Sequence, residues 1–213
     1  MRAAVAMATM LCWASPGAGQ TATTAGAGPV SWSFSSSMYV YQVRDDRNYA
    51  QPTLTADRGW LHLEARYNYE DRKTGSLWLG YTAGGGDGGG NSVEWEITPM
   101  LGGAFGRTGG IVPGYRGSVG WWKLTLSSEG EYLFDLDDAS ESFFYNWSEL
   151  TLAPAEWWRI GLVTQRTRVY ETPRDIQRGL LVGVSLGDID LAGHVFNLDD
   201  STPTGVFSIA VAF

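Results

Sequence analysis

The stretch "GVFSIAVAF", residues 205–213, decides the fold because it has the pattern of one β-strand with two unlike faces. One face carries large apolar side chains and the other carries small ones: Phe207, Ile209, Val211 and Phe213 against Ser208, Ala210 and Ala212. The chain ends on an aromatic residue of the apolar face. Such a strand needs a neighbouring strand on each side, because an unpaired apolar edge promotes aggregation.

The same two-residue alternation runs through the chain after residue 30, whereas helical periodicity is nearly absent. Connections alternate between long polar loops and tight turns, with "GGGDGGGN" at 84–91 as the exception. This alternation is typical of transmembrane β-barrels, and an even strand count returns both termini to the periplasmic side. We therefore predict a single antiparallel barrel of about twelve strands, with ten as the alternative. The predicted strands are 31–43, 49–57, 60–71, 76–83, 92–102, 114–127, 130–137, 143–153, 156–168, 177–186, 189–198 and 204–213.

Aromatic residues distinguish a barrel from a soluble β-sandwich, in which strands alternate in the same way. In the predicted topology they concentrate near the two ends of the strands, with aliphatic residues between. The predicted periplasmic girdle is Trp32, Phe34, Tyr81, Trp95, Tyr132, Trp158 and Phe213, and the predicted outer girdle is Tyr67, Tyr69, Phe144 and Phe207. Two aromatic girdles around an apolar band are what a membrane barrel requires. A secreted sandwich that binds carbohydrate through tryptophans remains the alternative.

The terminal "VFSIAVAF" resembles the closing strand of bacterial outer-membrane β-barrels, which end on Phe after apolar residues at alternate positions. The resemblance implies an outer-membrane location and contact with membrane lipid and lipopolysaccharide. It also implies that the barrel-assembly machinery recognises the last strand through Phe213. Twelve-stranded porins for acidic oligosaccharides are similar in size. Because those porins line their pores with arginines and this chain does not, their solute class is not implied.

The N-terminal "MRAAVAMATMLCWASPGAGQ" predicts a signal peptide over 1–19, followed by a flexible leader over 20–29 and the barrel over 30–213. Cys12, the single cysteine, lies within the signal peptide, so we expect no disulfide in the mature chain. The net charge of −8 argues against a nucleic-acid partner. The chain contains no cofactor or metal motif, and "GGGDGGG" lacks the Lys and Ser/Thr of a phosphate loop.

Strand parity places an excess of carboxylates on the inner face of the barrel. Burying these acids in a dry interior is costly, so we predict a narrow, water-filled channel with a weak preference for cations. The alternative is an interior closed by salt bridges and filled by side chains. The predicted lumen-lining residues are Glu64, Arg66, Glu94, Glu96, Lys123, Glu131, Asp135, Glu149, Arg159, Asp190 and His194.

Three further interpretations concern the outer surface and catalysis. Arg166 and Arg168 point outward above an apolar band, where Arg suits lipopolysaccharide phosphates, although simple solvation is the alternative. A non-conducting barrel would act through acidic loops such as the one containing Asp137. A lipid-modifying enzyme would need His194 opposite Ser208, but both face the lumen and no GxSxG is present. We therefore expect a channel and no catalytic activity.

Overall fold

The computed structural model describes residues 30–42, 48–86, 92–169, 175–199 and 203–213. The predicted signal peptide and leader, 1–29, lie outside the described residues. Among the described residues no helix is long and apolar enough to cross a membrane. A short 3-10 turn spans Ala139–Glu141. The strands are β1 Ser33–Gln42, β2 Tyr49–Arg58, β3 Leu61–Tyr67, β4 Thr74–Tyr81, β5 Ala83–Gly85, β6 Val93–Gly106, β7 Gly110–Trp121, β8 Leu124–Asp135, β9 Phe143–Ala155, β10 Trp158–Val169, β11 Asp175–Leu186, β12 Ile189–Phe196 and β13 Thr204–Ala212.

The strands form a closed antiparallel barrel in which chain neighbours are also spatial neighbours. β4 and the short β5 both pair with β6 and occupy one position, so the barrel has 12 strands. The seam closes where β13 pairs with β1, with Met38 opposite Ile209. Reciprocal hydrogen bonds of 3.0 and 2.9 Å join the backbones of Phe34 and Phe213. The predicted fold is confirmed, since the last strand has a partner on each side.

The two ends of the barrel differ in their connections. At one end, here called the turn end, tight turns such as Trp122–Lys123 and Gly187–Asp188 join the strands. β1 begins and β13 ends at the turn end. The opposite end, here called the loop end, carries the segments that follow β1, β3 and β8. The placement of the turn end in the periplasm stays a prediction.

The outer surface of the barrel is apolar. Leu54, Leu79 and Leu180 point outward near the middle of their strands, and each is at least half exposed. Exposed aromatic rings lie nearer the ends, with Trp121 at the turn end of β7 and Phe134 at the loop end of β8. An apolar surface between aromatic rims suits a bilayer.

The hairpin between β7 and β8 is where the sequence prediction was wrong. The turn lies at Trp122 and Lys123, not at 128–130 as predicted, so Lys123 is exposed at the turn end and does not line the lumen. Trp122 adopts a positive φ of 55°, which turn patterns normally assign to Gly or Asn. Gly130 sits within β8, directly beneath the Tyr115 ring. This glycine therefore makes room for a ring and does not form a turn.

The segment after β3 also departs from the prediction. The predicted strand 60–71 ends at Tyr67, because Asn68 adopts a positive φ of 58° and redirects the chain. Tyr69 and Glu70 then turn into the barrel and are fully buried. This change of direction brings two loop residues into the candidate site.

Candidate functional site

The interior contains a buried set of charged side chains from three strands, here called the charged layer. Its members share ion pairs or hydrogen bonds: His62, Glu64, Arg66, Arg116, Glu129 and Glu131. Glu64 is the centre, accepting hydrogen bonds from Arg66 Nε and, at 2.7 Å, from Arg116 Nη2. His62 bridges Asp57 and Glu64, at 2.6 and 3.1 Å. The layer is held together by mutual pairing, which a buried charge requires.

Arg66 connects two walls of the barrel. Its Nη1 donates to Glu131 Oε2 on β8 at 2.9 Å. Its guanidinium also lies over two aromatic rings, 4.0 Å from the Tyr69 centroid and 4.4 Å from the Trp78 centroid. Gly102 makes room for Trp78, since a Cβ there would lie 2.5 Å from the indole. Ion pairing and cation–π contacts together fix the position of this arginine.

The loop between β3 and β4 closes over the charged layer. Tyr69 OH donates to Glu129 Oε1 at 2.5 Å. Asn68 anchors the loop by donating to Ala50 O at 3.0 Å and accepting from Lys73 N at 2.7 Å. Glu70 lies in the same loop with its carboxyl fully buried and without a hydrogen bond of normal geometry. Burial raises the pKa of the Glu70 carboxyl above its ordinary value, although the positive charge of Arg66 opposes the shift.

Aromatic side chains fill the loop-end half of the interior. Trp147 packs edge-on against Phe196 at 5.1 Å and against His194 at 5.7 Å, and Tyr69 packs edge-on against Tyr145 at 6.0 Å. Each of these side chains is almost completely inaccessible to solvent. In this conformation the interior is therefore narrow and filled near the loop end. We call this set the aromatic plug: Tyr41, Tyr69, Tyr145, Trp147 and Phe196.

The filled region also buries polar atoms that lack partners. Several have no hydrogen-bond partner among the described residues: Ser37 Oγ, Gln51 Oε1, Tyr145 OH, Trp147 Nε1 and His194 Nδ1. Each unsatisfied polar group costs about 1–3 kcal/mol unless water reaches it. The plug therefore differs from the apolar core of a soluble protein.

The opposite wall holds two smaller polar pairs. Arg159 makes a two-pronged contact with Asp190, at 2.5 and 2.7 Å. Glu149 Oε1 lies 3.1 Å from His194 Nε2. The register pairs His194 with Val206 and Ser208 with Ala192, so the serine–histidine juxtaposition considered from the sequence is corrected. The pairing of β12 with β13 is set by the length of the loop between them, which the sequence alone does not show.

The turn end of the interior is open and acidic, and we call it the vestibule. Glu94 is exposed and Glu96 is partly exposed on the inner face of β6. Asp57 on β2 is also partly exposed, and the Ser35 and Thr55 hydroxyls bond each other at 2.6 Å beside it. Carboxylates therefore face any solute that enters from this end.

The remaining predicted site residues lie at the loop-end rim of the barrel or on its outer surface. Asp135 accepts from the backbone N–H groups of Asp137 and Asp138, each at 2.8 Å, and so orders a loop at the loop end. Arg166 points outward, with its guanidinium 5.4 Å from the Phe144 centroid. The side chain of Arg168 lies outside the described part of the chain. No group of three His, Cys, Asp or Glu within the described ranges could hold a metal ion.

Sequence reasoning missed four charged residues of the interior, of which Asp57 stands at the end of the predicted strand 49–57 and was not assigned to the lumen. Arg116 was hidden by the wrong parity of the strand preceding the Trp122–Lys123 turn, and Glu129 was assigned to a turn. Glu70 was assigned to a strand. Arg116 could have been identified from the alternation of side chains along this strand. Small or polar residues on one face oppose larger apolar or aromatic ones on the other: Val112, Gly114, Arg116 and Ser118 against Ile111, Pro113, Tyr115 and Val119.

Comparison with known proteins identifies the architecture. No protein-family model matches the sequence, and no curated protein matches it. The fold is similar to that of a solved KdgM porin, with a TM-score of 0.57 and 13% identity over 85% of this chain and 99% of that one. A KdgM porin in complex with disordered oligogalacturonate gives a TM-score of 0.55 and 12% identity with the same coverage. The chain therefore has the fold of a twelve-stranded porin.

Proposed function

We propose that this protein is an outer-membrane channel of the porin type that carries ions or small polar solutes through a narrow, gated lumen. The observation that carries the proposal is that the closed barrel is polar along its interior, from the vestibule through the charged layer. The unsatisfied polar atoms within the plug support it further, because water entering the lumen would solvate them. The porin fold of the structural neighbours is consistent with this function.

The solute path begins at the vestibule and meets its first constriction at the charged layer. There Arg66 and Glu131 narrow the lumen by pairing across it. The second constriction is the aromatic plug, which includes Tyr69 of the β3–β4 loop. Conduction requires rotation of plug side chains or displacement of this loop. These parts form the proposed gate, and the strands of the barrel wall need not move.

The proposed selectivity is a weak preference for cations. Glu94, Glu96 and Asp57 place negative charge at the vestibule, and rings of carboxylates attract cations. The oligogalacturonate named with one structural neighbour is a polyanion. An acidic vestibule opposes entry of such a chain, so we propose small cations or neutral solutes as the cargo.

We also propose how the barrel sits in the outer membrane. The turn end faces the periplasm, and the terminal strand ending at Phe213 is read by the barrel-assembly machinery. Arg166 contacts lipopolysaccharide phosphates near the outer rim, and we extend the same proposal to Arg168 from the sequence alone. The position of the Arg166 guanidinium over the Phe144 ring supports the contact with phosphates, since a guanidinium above an aromatic girdle lies at headgroup level.

A second candidate function is favoured by the plug itself. Trp147, Tyr145 and Phe196 fill the loop-end half so completely that a permanently closed barrel is a specific alternative. Such a barrel would be structural or would bind partners through its loops.

Planar-bilayer recording of the refolded mature chain separates the two functions. A heat-modifiable gel band and co-flotation with lipid vesicles first establish that the barrel is folded and inserted. The channel proposal predicts discrete current steps with a cation-shifted reversal potential in a salt gradient. Inserted protein that carries no current would overturn the channel and leave the non-conducting barrel.

A further inference from the structure

The β3–β4 loop, residues 68–73, contains a buried acid to which the solute path above gives no role. Glu70 turns into the barrel, and its side chain is completely inaccessible to solvent. Neither of its carboxylate oxygens has a hydrogen-bond partner of normal geometry among the described residues, although the Ser76 hydroxyl lies nearby. An ionised carboxylate is expensive to bury in such a place, so a charged Glu70 opposes the closed position of the loop.

The charges around Glu70 do not remove this cost. Arg66 on β3 is the cation that acts on Glu70, but it already pairs with Glu64 and Glu131. The same two carboxylates act on Glu70 with a charge of the same sign. The buried acids in this part of the interior therefore outnumber the guanidinium groups: Glu64, Glu70, Glu129 and Glu131 against Arg66 and Arg116.

The other titratable groups beside the loop have partners or are neutral. Glu129 accepts a hydrogen bond from Tyr69 OH at 2.5 Å and lies 3.8 Å from the Arg116 guanidinium. Tyr145 on β9 packs edge-on against Tyr69. Phenols ordinarily lose their proton only near pH 10, so neither tyrosine carries a charge at neutral pH. Glu70 is therefore the loop residue whose ionisation opposes burial directly.

The loop leaves and rejoins the barrel wall at two sharp changes of direction. Asn68 and Lys73, at its two ends, have positive φ values of 58° and 65°. The outer side of the loop is tied to the β6–β7 connection, since Thr108 Oγ1 donates to Asp71 Oδ2 at 3.2 Å. Glu70 lies between this outer contact and the phenol that reaches into the plug. A change of charge on Glu70 therefore acts on the segment that closes the lumen.

We propose that a proton on Glu70 holds the β3–β4 loop inside the barrel, and that loss of this proton releases the loop together with Tyr69 of the aromatic plug. The neutral acid is buried at little electrostatic cost, whereas water solvates the carboxylate once the loop is released. Burial raises the pKa of Glu70 in the closed loop above its ordinary value of 4.5, so the released loop loses the proton more readily. Rising pH above that ordinary value therefore favours release, by up to about tenfold per pH unit for one proton.

The effect of this release on conduction rests on the proposed function, so the test measures the loop and the current separately. The mature chain, refolded in lipid vesicles, is compared with Glu70→Gln between pH 5 and pH 8. Amide hydrogen exchange, corrected for its intrinsic pH dependence, reports release of the loop. Its probes are the N–H groups of Asn68 and Thr74, which donate to Thr74 O at 2.8 Å and to Asp71 O at 3.2 Å. Planar-bilayer recording at the same pH values reports the open fraction of the channel.

In the unmodified chain, exchange protection of the loop should fall as the pH rises, and the open fraction should rise with it. Glu70→Gln keeps the neutral shape, so its loop should stay protected and its open fraction low throughout. Glu141→Gln, an exposed position at the same end, is the matched control and should behave like the unmodified chain. Loop protection that is independent of pH, or that falls equally in Glu70→Gln, would overturn the inference. Loop release without current at any pH would support the proton-controlled loop and overturn the channel.

Discussion

Arg66 on β3 donates to Glu131 on β8 across the barrel interior, at 2.9 Å. The two residues are 65 positions apart in the chain, and no local interaction brings them together. Their pairing divides the interior into an open acidic vestibule and a filled aromatic half. The ion pair therefore lies between an exposed acidic entrance and a filled aromatic region of the interior.

The Arg66–Glu131 pair should stabilise the barrel only as a pair. Arg66→Met leaves two buried carboxylates with fewer partners and is expected to lower the free energy of unfolding by about 3–5 kcal/mol. Adding Glu131→Leu should restore part of that loss, because it removes one of the unpaired charges. Urea unfolding in lipid vesicles, followed by tryptophan fluorescence, measures both. If the stability loss of the double variant equals the sum of the losses of Arg66→Met and Glu131→Leu measured singly, the two residues do not interact and the pairing is contradicted.

Gly130 should be required by the Tyr115 ring above it. A Cβ at Gly130 would lie 2.7 Å from the ring, so Gly130→Ala is expected to displace Tyr115 and lower the free energy of unfolding by about 1–3 kcal/mol. Gly193 on β12 is the matched control, since no atom lies within 4 Å of its Cβ position. The same unfolding measurement should show Gly193→Ala to be nearly neutral. Equal effects of the two substitutions would rule out the close contact.

Glu70 should make the folded barrel less stable as the pH rises. Because burial raises its pKa in the folded state, the unfolded chain loses this proton first, near the ordinary value of 4.5. This group's contribution is therefore most favourable at low pH and declines as the pH rises above that value. Glu70→Gln should remove the decline and raise the free energy of unfolding at neutral pH by about 1–3 kcal/mol. Unfolding curves between pH 4 and pH 8 that shift in parallel for both proteins would argue against a raised pKa.

Cation preference should depend on the vestibule. Glu94→Gln with Glu96→Gln removes two carboxylates from the inner face of β6 and is expected to lower the cation-to-anion permeability ratio roughly twofold. The reversal potential in a salt gradient measures this ratio. Glu156→Gln, in an exposed turn at the same end, is the control for charge outside the vestibule. An equal change in the control would mean that surface charge, and not the vestibule, sets the selectivity.

The fold was predictable because strand parity and the seam depend on local pattern. Ile209 on β13 and Phe213 directly after it are both exposed on the outer side of the barrel, as alternation predicts. The Trp122–Lys123 turn was not predictable in this way, because neither residue is a usual turn former. Parity also places Trp147 on the inner face without showing how far its ring reaches into the lumen. Contacts such as Arg66 with Glu131 depend on the stagger of the closed barrel, which a single sequence does not encode locally.

The most direct test of the gated channel is the unit conductance of inserted protein with and without the plug. We expect small discrete steps from the unmodified chain, and steps several times larger from Trp147→Ala and from Tyr69→Ala. Tyr69 lies in a loop, so its variant remains informative if Trp147→Ala folds poorly. Leu54→Ala, on the lipid-facing wall, should conduct like the unmodified chain. Folded, inserted barrels that stay silent in every variant, or whose conductance is unchanged by opening the plug, would contradict the account.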